Sequence, residues 1–501
     1  MVVGSSGFKI SHQNRGVGMV EFSRRSVALS ASALMALCAC GEGEQTPGEV
    51  AEEGVESVTF HRDLRPVLEA RCNGCHDGSG ITPDALDFRD PVQVQALAPV
   101  ITAAVVGRTM PPWQASGGCN EYKDDLSLSA SEIATFVDWE AEGLKLGDPA
   151  DFVMPDLRPS ELGAERLPSE PTLTIRSASP YTPDKSRPDD FRCFAVDPGF
   201  EADRFLQGFE VEVDNVSVLH HIVVFAVPGD EETGQLLAEL EAEDETPGYS
   251  CFGDSRTNVE TLAAVWAPGG EKTAFPPGTG LRISKGARFV MQMHYNLSQG
   301  GDGQDNSGIK LWFAPEDSPP AREAEMVFIG NLPFEIPSGV NGGTSQSCEG
   351  VYALLDDTSM PLTEGINEEN LEDPSEIGSG GCVQQDFLYT LTGAEPVEAH
   401  AVFPHMHLKG THIRAEFVPL EIDGEHSRPA PGAEVCLLDT DRWDFDWQRF
   451  YWFQQPVKAP VRGSVRLTCR YDTRGASEAV SLGEGSGDEM CLVLLFLTGT
   501  R

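Results

Sequence analysis

Basic residues are scarce in this chain of 501 residues: Lys and Arg together number 36 against 79 Asp and Glu, a formal net charge of −43. That excludes the basic footprint on which nucleic-acid binding depends; the carboxylates read instead as a solubilising surface suited to cationic partners. Long apolar runs are missing too. Beyond the first forty residues nothing approaches the roughly 20 residues needed to cross a bilayer, and "CLVLLFL" at 491–497 is only strand length. No H-E-x-x-H occurs, so a zincin-type hydrolase has no support. What the chain does have is 40% hydrophobic residues, 12 cysteines and 11 histidines. Its length suits about three domains of roughly 150 residues each.

Residues 1–40 read as an export signal: the pair Arg24-Arg25, an apolar run, then "LCAC". Met19 would serve equally well as the start. The ending resembles a bacterial lipobox, which implies a lipid on Cys40 as the sole membrane attachment and a place in the bacterial cell envelope, periplasmic or outer-surface, with the general secretory route favoured over twin-arginine export. Residues 41–57 are acidic and Gly/Pro-containing, a flexible tether. Residues 58–148 lean helical, with Ser129 or Ser131 placed to cap "SEIATFVDWEAEGL". A Pro-rich linker follows at 149–189. From 190 the chain turns to short alternating strands broken by Gly, Pro and Asp, which predicts two antiparallel β-sandwiches, 190–318 and 319–501, with an acidic insertion at about 349–396. The fold class expected is therefore multidomain: a small all-α domain, then two all-β, jelly-roll-like sandwiches.

"CNGCH" places Cys72, Cys75 and His76 in the spacing that lets two thiols add to haem vinyl groups while the histidine ligates the iron. A zinc or redox CxxC is the rival reading. Met110 in "GRTMPPW" is the expected sixth ligand, its thioether raising the iron's potential; Met154 competes from the linker. The block resembles a class I cytochrome c domain, which implies one covalently attached haem c that moves single electrons.

The β region carries "LHHIVV" (His220, His221), "MQMHYNL" (His294), "FPHMHLKG" (His405, His407) and "GDEMC" (Met490). Strand alternation puts His405 and His407 on one face, with Met406 and Leu408 on the other and in the core. His294 shares its face with Gln292. The adjacent pair 220–221 can reach one ion only through a bulge or a strand end. Each histidine alone is more often structural, but five on polar stripes point to metal. A three-histidine set suits zinc or copper alike, while two histidines with a thioether favour copper.

The order HH, QMHY, HMHxxG, EMC resembles the copper type II, ascorbate-dependent monooxygenases over residues 190–501. The resemblance implies two copper ions: one held in the first sandwich by His220, His221 and His294, storing an electron, and one held in the second by His405, His407 and Met490, where O2 reacts with a C–H bond. It implies O2, a small organic substrate and a reductant, ascorbate-like or a redox protein, as partners. The haem is the expected donor to the first copper. Phe403-Pro404 and Leu492 stand where the peptide-processing members carry carboxylate-binding polar groups, so the pocket is expected to be apolar and an amidated peptide is not the expected product. The same resemblance pairs Cys469 with Cys491. Cys193–Cys251 and Cys348–Cys382 follow from domain position, which leaves Cys119 and Cys436 over, in different domains. A non-enzymatic envelope electron-transfer or copper-binding protein is the alternative, and a β-sandwich adhesion module with structural histidines the third reading.

Overall fold

Helices form first along the chain because the sequence caps and spaces them. The turn Phe60–Leu64 runs into the helix Arg65–Arg71. Pro91–Val106 starts on Asp90, whose carboxylate accepts the Val92 amide, with proline in its first turn. Ala130–Ala141 starts on a capping box in which the Ser129 and Glu132 side chains each accept the other's backbone N–H. Of the two serines that could cap, Ser129 does. Leu64 and Leu68, then Phe136 and Trp139, recur at helical spacing and meet Val94, Ala98 and Ile101 in one small core.

The computed structural model describes residues 57–78, 86–156, 162–330 apart from 244 and 299, 334–336, 350–354, 382–391, and 396–499 apart from 424, 425, 431, 441, 474, 475 and 477. The export signal, Cys40, the tether, Cys348 and most of the acidic insertion lie outside the described residues.

After residue 172 the described chain is mostly strand. Its largest sheet has nine strands and runs through both β halves. Leu173–Arg176, Gly308–Phe313, Arg204–Glu212 and Thr279–Ile283 are joined side by side to Arg322–Gly330, Leu492–Thr498, Glu398–His405 and Tyr451–Lys458. The join is a short parallel pairing, Arg322–Ala324 on Thr279–Leu281. A five-stranded sheet containing Asp189–Val196, Leu219–Val227 and Arg288–Asn296 covers one half. A six-stranded sheet containing Cys382–Thr390, Gly410–Asp423 and Arg462–Tyr471 belongs to the other. Leu173–Arg176 comes from the stretch expected to be linker.

Leu492–Thr498 explains why its sequence does not alternate. Leu494 and Phe496 enter the first core, while Val493, Leu495 and Leu497 enter the second. A strand buried on both faces reads as a continuous apolar run.

The helical block is bolted to the second half. Trp113, Ala115 and Tyr122 belong to the second half's core, the Gln114 amide donates to the Asp444 and Trp447 carbonyls, and Cys119 is disulfide-bonded to Cys436. This corrects the expectation that these two cysteines are left over. They are 317 residues apart, and only the folding-back of residues 113–122 onto the second half brings them together. Cys193–Cys251 and Cys469–Cys491 pair as expected.

Candidate metal centre

His221 and His294 lie directly opposite each other on neighbouring strands, and the pairing register shifts between Leu219 and His221. The shift is a bulge at His220, the device that lets two consecutive residues serve one side of a sheet. The three Nδ1 atoms converge: His220 to His221 is 3.2 Å and His221 to His294 is 3.3 Å. All three groups present a ligand atom within 4.8 Å of one another. Phe191 stacks on His294 and Phe445 on His220, each at 4.1 Å between ring centroids.

In the second half the strand ends at His405, and the chain turns so that His405 Nε2 and His407 Nε2 face each other at 3.2 Å. Met406 is buried in the core, as alternation requires, but Leu408 is exposed; the strand stops before alternation can reach it. Met490 is buried, and its carbonyl accepts from the Tyr471 hydroxyl. It follows Asp488 and Glu489, which grip the other histidine: the Glu489 carboxylate accepts the His407 amide at 3.0 Å and the Lys409 amide at 2.5 Å. Leu492, two residues on, is the cross-strand partner of His405.

The outer nitrogens of these rings determine what the inner ones can do. His294 Nε2–H donates to Asp189 (2.9 Å), His220 Nε2–H to the Phe445 carbonyl (3.3 Å) and His407 Nδ1–H to the Asp488 carbonyl (3.3 Å). His405 Nδ1–H donates to Gln448 Oε1 at 2.6 Å, and the Gln448 amide is itself oriented by donating to Phe445 O. A neutral imidazole has one N–H. Assigned from these acceptors, His405 Nε2 and His407 Nε2 are both bare lone pairs, as are the Nδ1 atoms of His220 and His294. Bare nitrogens held 3.2 Å apart repel unless a cation lies between them.

The rings are neutral. Burial holds His220 at about 3 and His405 at about 4, and pushes His221, His294 and His407 down as well; neighbouring histidines add to the fall except at His294, which Asp189 pulls back up. Burial works to raise Asp189, but hydrogen bonds from His294 and Ser486 outweigh it and keep the carboxyl at about 2. Buried neutral imidazoles with oriented lone pairs fit a soft or borderline ion such as copper.

The two groups are adjacent. His221 and His405 have ring centroids 6.1 Å apart, and Phe445 touches both groups, through its carbonyl on His220 and its ring 6.0 Å from His407. Two sites, one per sandwich, were expected; their contact was not. Asp189, Gln448, Phe445 and Ser486 had no motif to mark them, because each becomes relevant only through a partner about 40 to 300 residues away.

Cys72 and Cys75 are not disulfide-bonded. Burial raises both, Cys72 to about 12, which disfavours a reactive thiolate. His76 stacks flat on Phe88 at 4.1 Å and its Nδ1–H donates to the Leu86 carbonyl at 3.2 Å, leaving Nε2 bare as an axial ligand requires. Met110 is half-buried at the head of the segment that enters the second half, and Met154 is exposed.

A cluster of oriented, neutral imidazoles in an all-β frame is a site suited to binding a metal ion. Consistent with this, residues 372–497 match the family model for the copper type II ascorbate-dependent monooxygenase, C-terminal domain. Over 298 residues the chain is 24% identical to DBH-like monooxygenase protein 1 of Gallus gallus, covering 57% of this chain and 40% of that protein. The Homo sapiens protein of that name is 24% identical over 289 residues, covering 56% and 39%. The chain thus spans about two fifths of the curated relatives it matches. The major capsid protein P2 of bacteriophage PM2 covers 62% of this chain at 8% identity with a TM-score of 0.20, which carries no argument. The sequence matches support the copper type II monooxygenase family.

Proposed function

We propose that this protein is a copper-dependent monooxygenase that hydroxylates a C–H bond of a small organic substrate: one oxygen atom of O2 enters the product, the other leaves as water, and a reductant supplies two electrons. His220, His221 and His294 hold one copper; His405, His407 and Met490 hold the other. Copper, when bound, supplies one-electron redox chemistry and reactivity toward O2.

The chain's own residues do the rest. Asp189 and Gln448 keep the proton on the outer nitrogen of His294 and His405, so the inner nitrogens stay available as ligands. Phe191 and Phe445 cover the first group and limit water. Cys72, Cys75 and His76 carry a haem c, with Met110 as sixth ligand, and this haem is an internal electron store. Cys40 carries lipid and places the protein in the bacterial envelope. The observation that carries the reading is the facing pair of bare nitrogens at His405 and His407.

The test is reductant-driven turnover under 18O2 with a panel of small aromatic and aliphatic substrates. One labelled atom per product, lost in His407→Ala, supports the reading. Oxygen uptake that never couples to a hydroxylated product, with copper still bound, makes it an electron-transfer or copper-binding protein instead.

A further inference from the structure

The two β halves meet around a narrow pocket of about 20 Å³. Trp266 and Glu271 line it from the first half, and Phe403, Gln448, Arg449 and Trp452 from the second. Room of that order admits one water molecule or one small ion. Two of the lining residues carry a buried donor, Arg449 Nε–H and Trp452 Nε1–H, with no hydrogen-bond acceptor among the described residues. Arg449 is 8% exposed and Trp452 3%. Neither group can accept instead, because guanidinium and indole N–H only donate.

The other fully buried arginine among the described residues is matched closely: Arg192 donates to the Pro247 and Gly248 carbonyls at 2.7 and 2.6 Å. Arg449 is not. In a chain with 79 Asp and Glu it has the exposed Glu271 at 3.9 Å, and the face of the Trp113 ring at 5.2 Å. A buried cation compensated so loosely is costly. An anion that accepts from both donors offsets that cost through charge as well as hydrogen bonding. Water is the weaker solution, since it brings no charge and has two hydrogens of its own to place.

We propose that Arg449 and Trp452 form a binding site for one small monovalent anion of halide size, set between the two β halves. The ion accepts from both donors and balances the guanidinium; no bond is made or broken. The site does not depend on the copper or haem reading. The acidic surface opposes anions at long range, an effect that salt screens, so capture rests on the short contacts. An ion held by the folded chain and not by the unfolded one stabilises the fold by mass action.

The probe is bromide, added to the full-length copper-loaded protein at constant ionic strength made up with gluconate, which is too large for the pocket. The unfolding temperature of the parent should climb with bromide along a binding curve. Trp452→Phe keeps a ring and loses the N–H, so its midpoint should move to about tenfold higher bromide, the order expected for one charge-assisted hydrogen bond. Arg449→Leu should show no climb. Glu271→Gln removes a carboxylate that repels the ion, and its midpoint should move to lower bromide. These last shifts in Trp452→Phe and Glu271→Gln still report if Arg449→Leu fails to fold, and bromide acting on the copper groups would not reproduce them. In crystals soaked with bromide, an anomalous peak within hydrogen-bond distance of both donors supports the site. A parent that unfolds at one temperature whatever the bromide, or Trp452→Phe and Glu271→Gln that follow the parent curve, overturns the proposal and leaves water in the pocket. A bromide peak with no response in solution is an adventitious ion only and overturns it likewise.

Discussion

Ser486 Oγ donates to Asp189 Oδ1 at 2.6 Å across 297 residues of chain, and the Ser486 amide reaches Asp189 Oδ2 at 3.1 Å. Asp189 in turn holds His294, so a loop of the second half positions a ligand of the first. A few residues later the same loop holds His407 through Asp488 and Glu489.

Ser486→Ala removes one of three donors to a buried carboxylate and loosens the ring it orients. Metal affinity of the first group should fall by roughly 10- to 100-fold, measured by competition with a chromophoric chelator, with Ser486→Thr restoring it. An unchanged isotherm would contradict this role.

Gln448→Leu is nearly isosteric but leaves His405 Nδ1–H without its acceptor. The ring can then present the wrong nitrogen. The 405/407 group should weaken by a similar order while the His220/His221/His294 group keeps its affinity, which isothermal titration of His294→Ala and His407→Ala backgrounds separates.

The Cys119–Cys436 bridge ties the helical block to the second half. The Cys119→Ala/Cys436→Ala double variant should lose about 2–5 kcal/mol of stability, the usual range for removal of a native disulfide. Because Trp113 and Tyr122 still fill the second core, denaturant unfolding should remain a joint transition of block and sandwich. Independent melting of the block would show that the bridge alone joins them.

His400 is buried, its Nε2 2.9 Å from Thr498 Oγ1, and burial lowers it to about 4 despite Glu398, which pulls it up; Arg322 and Lys123 push it down. Folded, it resists protonation; unfolded, it takes a proton near 6.5. Its linked stability is therefore complete above about pH 6.5 and is lost as pH falls toward about 4, up to about 3 kcal/mol from the shift. His400→Gln should flatten this limb of the stability–pH curve. An identical limb in the variant would contradict the assignment.

Local features of the sequence proved readable where one residue carries its own reason. Ser129 and Glu132 announce a helix start, alternation at Met406 finds the core, and the doublet at 220–221 required a bulge that the register contains. Relationships between distant segments that no motif marks were not readable. Nothing in residues 113–122 says that they fill another domain's core, and nothing in Gln448 or Ser486 marks a partner on a remote strand. Leu408 misleads for a related reason: alternation holds only while the strand lasts, and it ends at His405. The nine-stranded sheet escaped notice because its join is a single short parallel pairing.

The central claim is that two histidine groups each hold one copper. Elemental analysis of dialysed protein tests it most directly, on the parent, His294→Ala, His407→Ala and, as a control, His412→Ala, whose ring pairs with Asp439 instead. Two coppers per chain in the parent and control, and one in each of the other variants, is the expected result. A parent that retains none, or ligand variants that retain both, would contradict it.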